Sequence, residues 1–303
     1  MSFHSKEILG VKKMKSIVKK SDKKPAFTIV ELLTVMSIIV ILIGLLVPAL
    51  NQVRKFARDV KQKAQFHSIG VALEFFNGEF QTYPDSSETD VDGVPYCGAM
   101  KLAESMVGKD LLGFNRDSVF KSNGQDYHGN QLYGGTGDLS ARKTYLELDN
   151  ANAYRIEDIY SNYTTQNFVT GSILLCDVFG QVINKNTGER IGMPILYYKA
   201  RPSKVDNSID NVANSIYNFN DNQNLVLLGK PWDTIGTHKL ATEGSKPGAR
   251  FYENIWNDKV NVPGVRKPFN RDTYILISAG NDGEYGTSDD VCNFDFKYRE
   301  IGP

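Results

Sequence analysis

The longest apolar stretch of the chain runs from Phe27 to Leu50 and contains one charged residue, Glu31. As an α-helix, this stretch would be about 36 Å long, enough to cross a hydrocarbon core of about 30 Å. The pattern therefore predicts a membrane-spanning segment. A cleaved secretory signal is the weaker interpretation, because its apolar core normally covers about 7 to 15 residues and ends in a small-residue cleavage site.

Helical periodicity continues beyond Leu50, where apolar or small residues recur every three or four positions with basic residues between them. The recurring positions are Val53, Ala57, Val60, Ala64, Ser68, Val71 and Phe75. The spacing predicts an amphipathic helix over residues 51–82 that continues the apolar segment and packs on a folded domain. The alternative is two helices joined near Pro48, because proline removes a helical hydrogen bond and favours a kink.

Charge is balanced over the whole chain but not along it. Residues 1–26 carry eight lysines against Glu7 and Asp22, a net charge of +6, so the remainder carries −6. A basic segment before an apolar span favours an N-terminus in the cytoplasm and a C-terminal domain on the other side of the membrane. No basic domain of the kind that binds nucleic acid is present in the sequence.

The remaining residues, 83–303, are expected to form a globular domain. Residues 85–150 are rich in Gly, Asp, Asn, Ser and Tyr and predict loops with short elements. Runs rich in β-branched and aromatic residues predict strands at Ser172–Cys176, Pro194–Tyr198, Leu225–Leu228 and Thr273–Ser278, although the Leu225 run is also compatible with a helix. The expected fold class is α+β, with one long helix on a mostly antiparallel sheet.

The sequence offers no candidate for catalysis, and we expect that the protein is not an enzyme. His4, His67, His128 and His238 stand in none of the common catalytic motifs, so each is expected to be a surface or hydrogen-bonded residue. Three cysteines, Cys97, Cys176 and Cys292, are too widely spaced for a metal motif. One disulfide with a spare thiol is compatible with this number, and the sequence does not choose the pair.

An acidic loop, defined here as Ser278–Val291, is the soluble stretch with the clearest chemistry. Its carboxylates at Asp282, Glu284, Asp289 and Asp290 are interspersed with three glycines. Hard cations such as Ca²⁺ bind six to eight oxygens, and glycines let a loop curl so that its carbonyls point inward. From this chemistry alone, an acidic turn around Asn281-Asp282-Gly283 is the simpler interpretation, because the spacing is not that of an EF-hand.

The N-terminal motif resembles that of type IV pilins and type II secretion pseudopilins. The residues that carry the resemblance are a basic leader, the small residue Ala26, then Phe27-Thr-Ile-Val-Glu31 and the apolar run, with Pro48 where many pilins carry a proline. The resemblance implies that a prepilin peptidase cuts between Ala26 and Phe27 and methylates the new amine. It also implies that Glu31 neutralises such an amine of a neighbouring subunit during filament assembly, and that the fold is pilin-like.

The acidic loop closely resembles the C-terminal calcium loop of the major pseudopilin of type II secretion. That resemblance implies a structural Ca²⁺ bound by Asp282 and Asp289, then Asp290, with carbonyls near Ala279 and Thr287. The turn Asp177–Val182 also resembles a turn common in pseudopilins. The segment formed by residues 85–270 is longer than the corresponding central segment of a compact major pseudopilin. Neither motif accounts for it.

Taken together, the resemblance implies a subunit of a type II secretion pseudopilus, anchored in the inner membrane and assembled into a periplasmic filament that aids protein export. The implied partners are the prepilin peptidase, other copies of itself, related pseudopilins and inner-membrane secretion assembly proteins. Two alternatives remain: a type IV pilin or minor pilin serving adhesion, motility or DNA uptake, or a signal-anchored periplasmic domain that binds a ligand or is an enzyme.

Overall fold

The computed structural model describes residues 27–135, 138–184, 186–233, 236–244, 246–260 and 266–300. The predicted leader, residues 1–26, lies outside the described residues. Contacts divide the chain into two compact units, Met1–Asn51 and Gln52–Pro303.

Helix α1 is one element, Ile29–Phe80, and Pro48 lies inside it. The alternative of two separate helices joined near Pro48 is therefore wrong. Every described side chain of the first unit, from Phe27 to Asn51, is exposed. Among the described residues, α1 is the one helix long and apolar enough to cross a membrane, as judged by its length and composition. The predicted membrane-spanning segment is therefore present as a candidate.

In the second unit, α1 buries a different face from the one that its periodicity predicted. Val60 and Phe75 of the predicted face are 51% and 64% exposed. The buried residues are Gln62, Gln65, Phe66, Ile69, Ala72, Leu73 and Phe76. Ile69 follows Val60 by nine residues, or about two and a half helical turns, so the two faces are opposite.

Two buried glutamines explain why the sequence pattern concealed this face. The side-chain carbonyl of Gln62 accepts a hydrogen bond from the Val178 amide at 3.0 Å, and the amide of Gln65 donates to the Cys176 carbonyl at 2.9 Å. A buried polar group is tolerated when it is hydrogen-bonded. Sequence periodicity assigns a glutamine to the solvent side of a helix. The periodicity cannot reveal that the side chain has a backbone hydrogen-bond partner more than a hundred residues away.

The two faces can be distinguished by a matched pair of substitutions. We expect Ile69→Ala to lower the free energy of unfolding by about 2–5 kcal/mol, because it leaves a cavity in a closed core. Val60→Ala, on the exposed face, is expected to change it by less than about 0.5 kcal/mol. Chemical denaturation of both variants measures the difference. Equal losses would show that the face centred on Val60 is also packed.

The described residues contain seven α-helices, most of them short. They are α1 (Ile29–Phe80), α2 (Gly98–Val107), α3 (Leu148–Ala151), α4 (Ile156–Ile159), α5 (Asn220–Leu227), α6 (Lys239–Thr242) and α7 (Ala249–Asn254). Three 3-10 helices also occur among these residues, at Leu139–Ala141, Tyr163–Gln166 and Ile209–Asn214.

Nine short strands complete the described secondary structure. They are β1 (Phe114–Asn115), β2 (Arg142–Lys143), β3 (Ala153–Arg155), β4 (Ile173–Leu175), β5 (Val182–Ile183), β6 (Arg190–Ile191), β7 (Leu196–Lys199), β8 (Tyr274–Ser278) and β9 (Val291–Cys292). They form four small antiparallel sheets, β1–β2, β3–β4, β5–β6 and β7–β8–β9. The α+β class is confirmed, but the predicted single sheet is wrong.

One sequence interpretation of local structure needs correction. The Leu225 run is not a strand: it forms the end of helix α5, in which Leu225 and Val226 are buried. Residues 85–150 form loops with short elements, as predicted, but one of these elements is the helix α2, all ten residues of which are buried. The Ala, Met, Leu, Lys and Glu of α2 favour helix, but Pro95 and the polar flanks obscured the run. The other predicted strands are confirmed as β4, β7 and β8.

Strand β8 lies between two hydrophobic clusters, which explains its continuous apolar sequence. Tyr274 and Leu276 belong to the cluster that contains the buried face of α1, whereas Ile275 and Ile277 belong to the other, larger cluster. A strand that is buried on both faces has a continuous apolar sequence and does not show alternating apolar and polar residues. The central position of β8, between β7 and β9, places the acidic loop that follows it next to a fixed core.

The three cysteines are all buried and free, and therefore form no disulfide. Burial raises the pKa of the Cys97 thiol to about 11 and raises the pKa values of the Cys176 and Cys292 thiols well above the usual range. Since the thiolate is the reactive form, these side chains act as small apolar core residues at neutral pH.

Candidate functional sites

Glu31 makes the first of two candidate sites, at the start of α1. Its carboxylate accepts hydrogen bonds from the Thr28 amide at 2.9 Å and the Thr28 hydroxyl at 2.7 Å, while its own amide donates to that hydroxyl at 3.2 Å. This reciprocal arrangement is a capping box, which satisfies amides that have no partner inside the helix. The sequence interpretation missed it, although Thr-x-x-Glu before an apolar run is its signature.

The other sequence-predicted residues of this region are placed as follows. Phe27 is exposed and immediately precedes the capping residue Thr28. Ala26 lies outside the described residues. Pro48 lies within α1, about 26 Å along the helix axis from Glu31. The geometry therefore brings Glu31 close to the predicted new terminus at Phe27 and leaves Pro48 apart from it.

The second candidate site is the acidic loop, which connects the antiparallel strands β8 and β9. The chain turns sharply at Gly280, which has a φ of 66°. A Cβ atom on Gly280 would lie 2.0 Å from the Asp289 carbonyl oxygen, so only glycine fits there. This close approach brings the two ends of the loop together.

The loop brings two of its three predicted carboxylates into contact. The Asp282 amide donates to an Asp289 carboxylate oxygen at 3.0 Å, and the Thr287 hydroxyl donates to the other oxygen at 2.8 Å. Asp290 is buried and accepts from the Gly286 amide at 2.8 Å through one oxygen. Its other oxygen, Oδ1, finds no hydrogen-bond partner among the described residues.

Burial and neighbouring groups change the pKa values of the carboxylates in the acidic loop. Burial, with the neighbouring charge of Asp289, raises the pKa of Asp282 to about 6. Burial also raises the pKa of Asp290 well above its usual range. Although burial opposes the shift, hydrogen bonds from Asp282 and Thr287 lower the pKa of Asp289. Of two carboxylates in close proximity, one therefore has a raised pKa, because two like charges are unfavourable in a poorly solvated site. A cation at this position would reverse that effect.

The chemistry of these groups fits Ca²⁺ better than a transition metal, because all the available donors are hard oxygens. No three His, Cys, Asp or Glu side chains in the described part of the chain are placed to hold a metal ion together. Carbonyl oxygens would therefore have to supply part of the shell. The Oδ1 atom of Asp290 is buried and has no hydrogen-bond partner among the described residues, so it is available as a ligand for a cation.

Access to this loop is open on one side. Asp289, Asp290 and Ser288 line a cavity of about 400 Å³, together with Lys55 and Asp59 of α1. Arg58 of the same helix donates to the Asn281 side chain at 3.2 Å. Two of the basic residues that follow Leu50, Lys55 and Arg58, therefore lie beside the acidic loop, which no local sequence pattern indicates.

A buried aspartate outside the loop anchors its first residue. Asp177 accepts hydrogen bonds from the Ser278 hydroxyl at 2.8 Å and from the Phe179 and Met193 amides at 3.2 Å. Burial raises the pKa of Asp177 to about 7, while the Ser278 hydrogen bond opposes that shift. The turn Asp177–Val182, noted in the sequence, is thus joined to the end of β8.

His238 is a second residue whose place the sequence did not indicate. It is completely buried, and its Nδ1 accepts a hydrogen bond from the Tyr285 amide of the acidic loop at 3.2 Å. His67 and His128 are exposed, and His4 lies outside the described residues. The expectation of a hydrogen-bonded histidine is confirmed for His238, but its contact with the loop depends on the fold.

Comparison with known proteins adds no further constraint: no protein-family model, curated protein or solved structure matches this chain.

Proposed function

We propose that the chain is a pseudopilin-like subunit of a secretion filament. In this proposal α1 anchors the protein in the inner membrane, with residues 52–303 on the periplasmic side. A prepilin peptidase removes residues 1–26, and α1 then leaves the membrane to pack among copies of itself and related pseudopilins. Inner-membrane secretion assembly proteins would drive this step, and the resulting filament would help to export folded proteins.

The observation that carries the proposal is the fully exposed apolar half of α1 with one charge near its start. An apolar helix of this length must be covered by lipid or by other helices. Glu31 costs on the order of 3 kcal/mol in lipid, which favours a role that offsets the cost. An assembled bundle of these helices covers the apolar surface and can give Glu31 a cationic partner.

The capping box supports a specific position for the cationic partner of Glu31. Because Glu31 already holds the Thr28 amide, its carboxylate lies one residue from the amine that cleavage at Phe27 would create. In low dielectric, a positive amine near this carboxylate is strongly favoured. The same arrangement can accept the Phe27 amine of a neighbouring subunit.

The exposed stripe of α1 supports assembly beyond the apolar half. Val53, Val60, Val71 and Phe75 are exposed on the side of the helix opposite to the core. Val53 and Val60 are seven residues apart, and Val71 and Phe75 are four apart, which are spacings found along a helix–helix seam. Packing against other subunits would cover this stripe.

Calcium binding by the acidic loop favours secretion over the pilus alternative. Asp282 and Asp289 lie together and Asp290 has an unpartnered oxygen, so these three residues would hold the ion with loop carbonyls. The ion would supply positive charge and join the two ends of the loop, which is a structural role.

The processing step provides the most direct test. We expect the mature protein to begin with N-methylated Phe27, because the Ala26–Phe27 junction separates the basic leader from the apolar run. Mass spectrometry of the intact protein and its N-terminal peptide, from cells with an active prepilin peptidase, measures this. Cells that lack the peptidase serve as the control and should retain residues 1–26. Recovery of an unprocessed chain from both strains would support the signal-anchored alternative.

A further inference from the structure

The middle of the acidic loop is held by a segment from the part of the chain that the motifs left unexplained. We define this clamp segment as the described residues 229–233 and 236–240. Both backbone polar atoms of Tyr285 are bound by it. The Tyr285 amide donates to His238 Nδ1 at 3.2 Å, and the Leu240 amide donates to the Tyr285 carbonyl at 3.0 Å.

The hydrogen bonds of His238 require one tautomer. Because Nδ1 accepts from Tyr285, the proton must lie on Nε2, which then donates to the Gly229 carbonyl at 3.1 Å. Burial lowers the pKa of His238 to about 3, so the ring stays neutral near pH 7 and Nδ1 keeps its lone pair. One imidazole thus joins the start of the clamp segment to the acidic loop.

The clamp segment also packs closely on two glycines of the loop. A Cβ atom on Gly286 would lie 2.5 Å from the Leu240 amide nitrogen, and one on Gly283 would lie 2.4 Å from the Trp232 ring. Between these points, Lys230 pairs with Glu284 at 3.2 Å. These contacts between the clamp segment and loop residues 283–286 include none of the proposed calcium ligands.

We infer that the clamp segment holds the acidic loop in its cation-binding conformation, with His238 as the positioning residue that sets calcium affinity without touching the ion. This inference rests on the calcium site of the proposed function. Ordering a flexible loop costs conformational entropy, and a site that must be ordered on binding has a weaker affinity by that cost. Contacts formed during folding remove this cost from the binding step.

Calcium titration of the full-length protein in detergent, followed by calorimetry, tests the inference. We expect His238→Ala to weaken the Kd for Ca²⁺ by about ten- to hundredfold, the usual effect of removing a group that orients metal ligands. His238→Asn can still accept a hydrogen bond from Tyr285 and should recover part of the affinity. His67→Ala, on the exposed face of α1, is the matched control and should bind as the original chain does.

A second variant keeps the test valid if His238→Ala does not fold. Trp232 is 47% exposed, so Trp232→Ala should fold, and the loss of the ring against Gly283 should weaken the Kd several-fold. The Trp232 fluorescence, measured with Trp256→Phe as background, should also change during the titration because the ring contacts the loop.

The outcomes distinguish failure of this inference from failure of the proposed calcium site on which it rests. Absence of calcium binding by the unmodified chain would overturn both. Normal binding by that chain, with unchanged Kd values in His238→Ala and Trp232→Ala, would overturn the inference alone. A variant that melts earlier in chelator but binds calcium with the original Kd would show that His238 is only structural. Equal Kd values for the Ala and Asn variants would exclude the Nδ1 hydrogen bond as the cause.

Discussion

Glu31→Leu is expected to abolish filament assembly while membrane insertion stays intact or improves. Insertion should gain on the order of 3 kcal/mol, because a charge is removed from the apolar segment. Assembly should lose about 3–5 kcal/mol at each contact, because the neighbouring Phe27 amine is left buried without its partner. That loss corresponds to roughly a hundredfold or more in the association constant. Membrane fractionation measures insertion, and crosslinking with sedimentation measures filaments.

Two further variants separate the charge of Glu31 from its capping role. Glu31→Gln can still accept a hydrogen bond from the Thr28 amide, as capping boxes allow, but it carries no charge. Thr28→Ala removes the cap and keeps the carboxylate, at a cost of about 0.5–2 kcal/mol of helix stability. If the charge matters, Glu31→Gln should fail to assemble while Thr28→Ala assembles. The opposite result would reduce Glu31 to a capping residue.

Calcium is expected to raise the melting temperature of the protein by about 5–10 °C relative to chelator. Binding only to the folded state adds about 2.7 kcal/mol at a hundredfold excess over Kd. For a folded unit of this size, each kcal/mol shifts the melting temperature by about 2–4 °C. The increase arises because the ion offsets the repulsion among Asp282, Asp289 and Asp290. Circular dichroism of the full-length protein in detergent, with and without chelator, measures it.

Substitutions within the loop make this expectation specific. Asp282→Ala and Asp289→Ala should each remove most of the calcium-dependent increase. Glu284→Ala is the comparison variant: its carboxylate pairs with Lys230 and is not a proposed ligand, so the variant should melt slightly earlier in both conditions and lose less of the increase than either aspartate variant. Magnesium should replace calcium poorly, because it requires tighter octahedral geometry and retains its waters. A melting temperature that is the same in calcium and chelator for the unmodified chain would identify the loop as an acidic turn.

Local sequence alone determined the elements whose signals are strong and continuous. The apolar run before Leu50 could form little other than a helix, and the β-branched and aromatic runs became β4, β7 and β8. The acidic loop was recognisable because its glycines and carboxylates are adjacent in the chain. The capping box of Thr28 and Glu31 could also have been found, since it requires only two residues at a fixed spacing.

Only the tertiary structure decided which face of α1 is buried and what surrounds the acidic loop. Gln62 and Gln65 are buried, and each makes a hydrogen bond to a distant backbone group, which reverses the face that apolar periodicity predicted. Likewise, His238 meets Tyr285 across 47 residues. A sequence pattern reports the polarity and spacing of neighbours, whereas these contacts depend on hydrogen-bond partners that only the folded chain brings together.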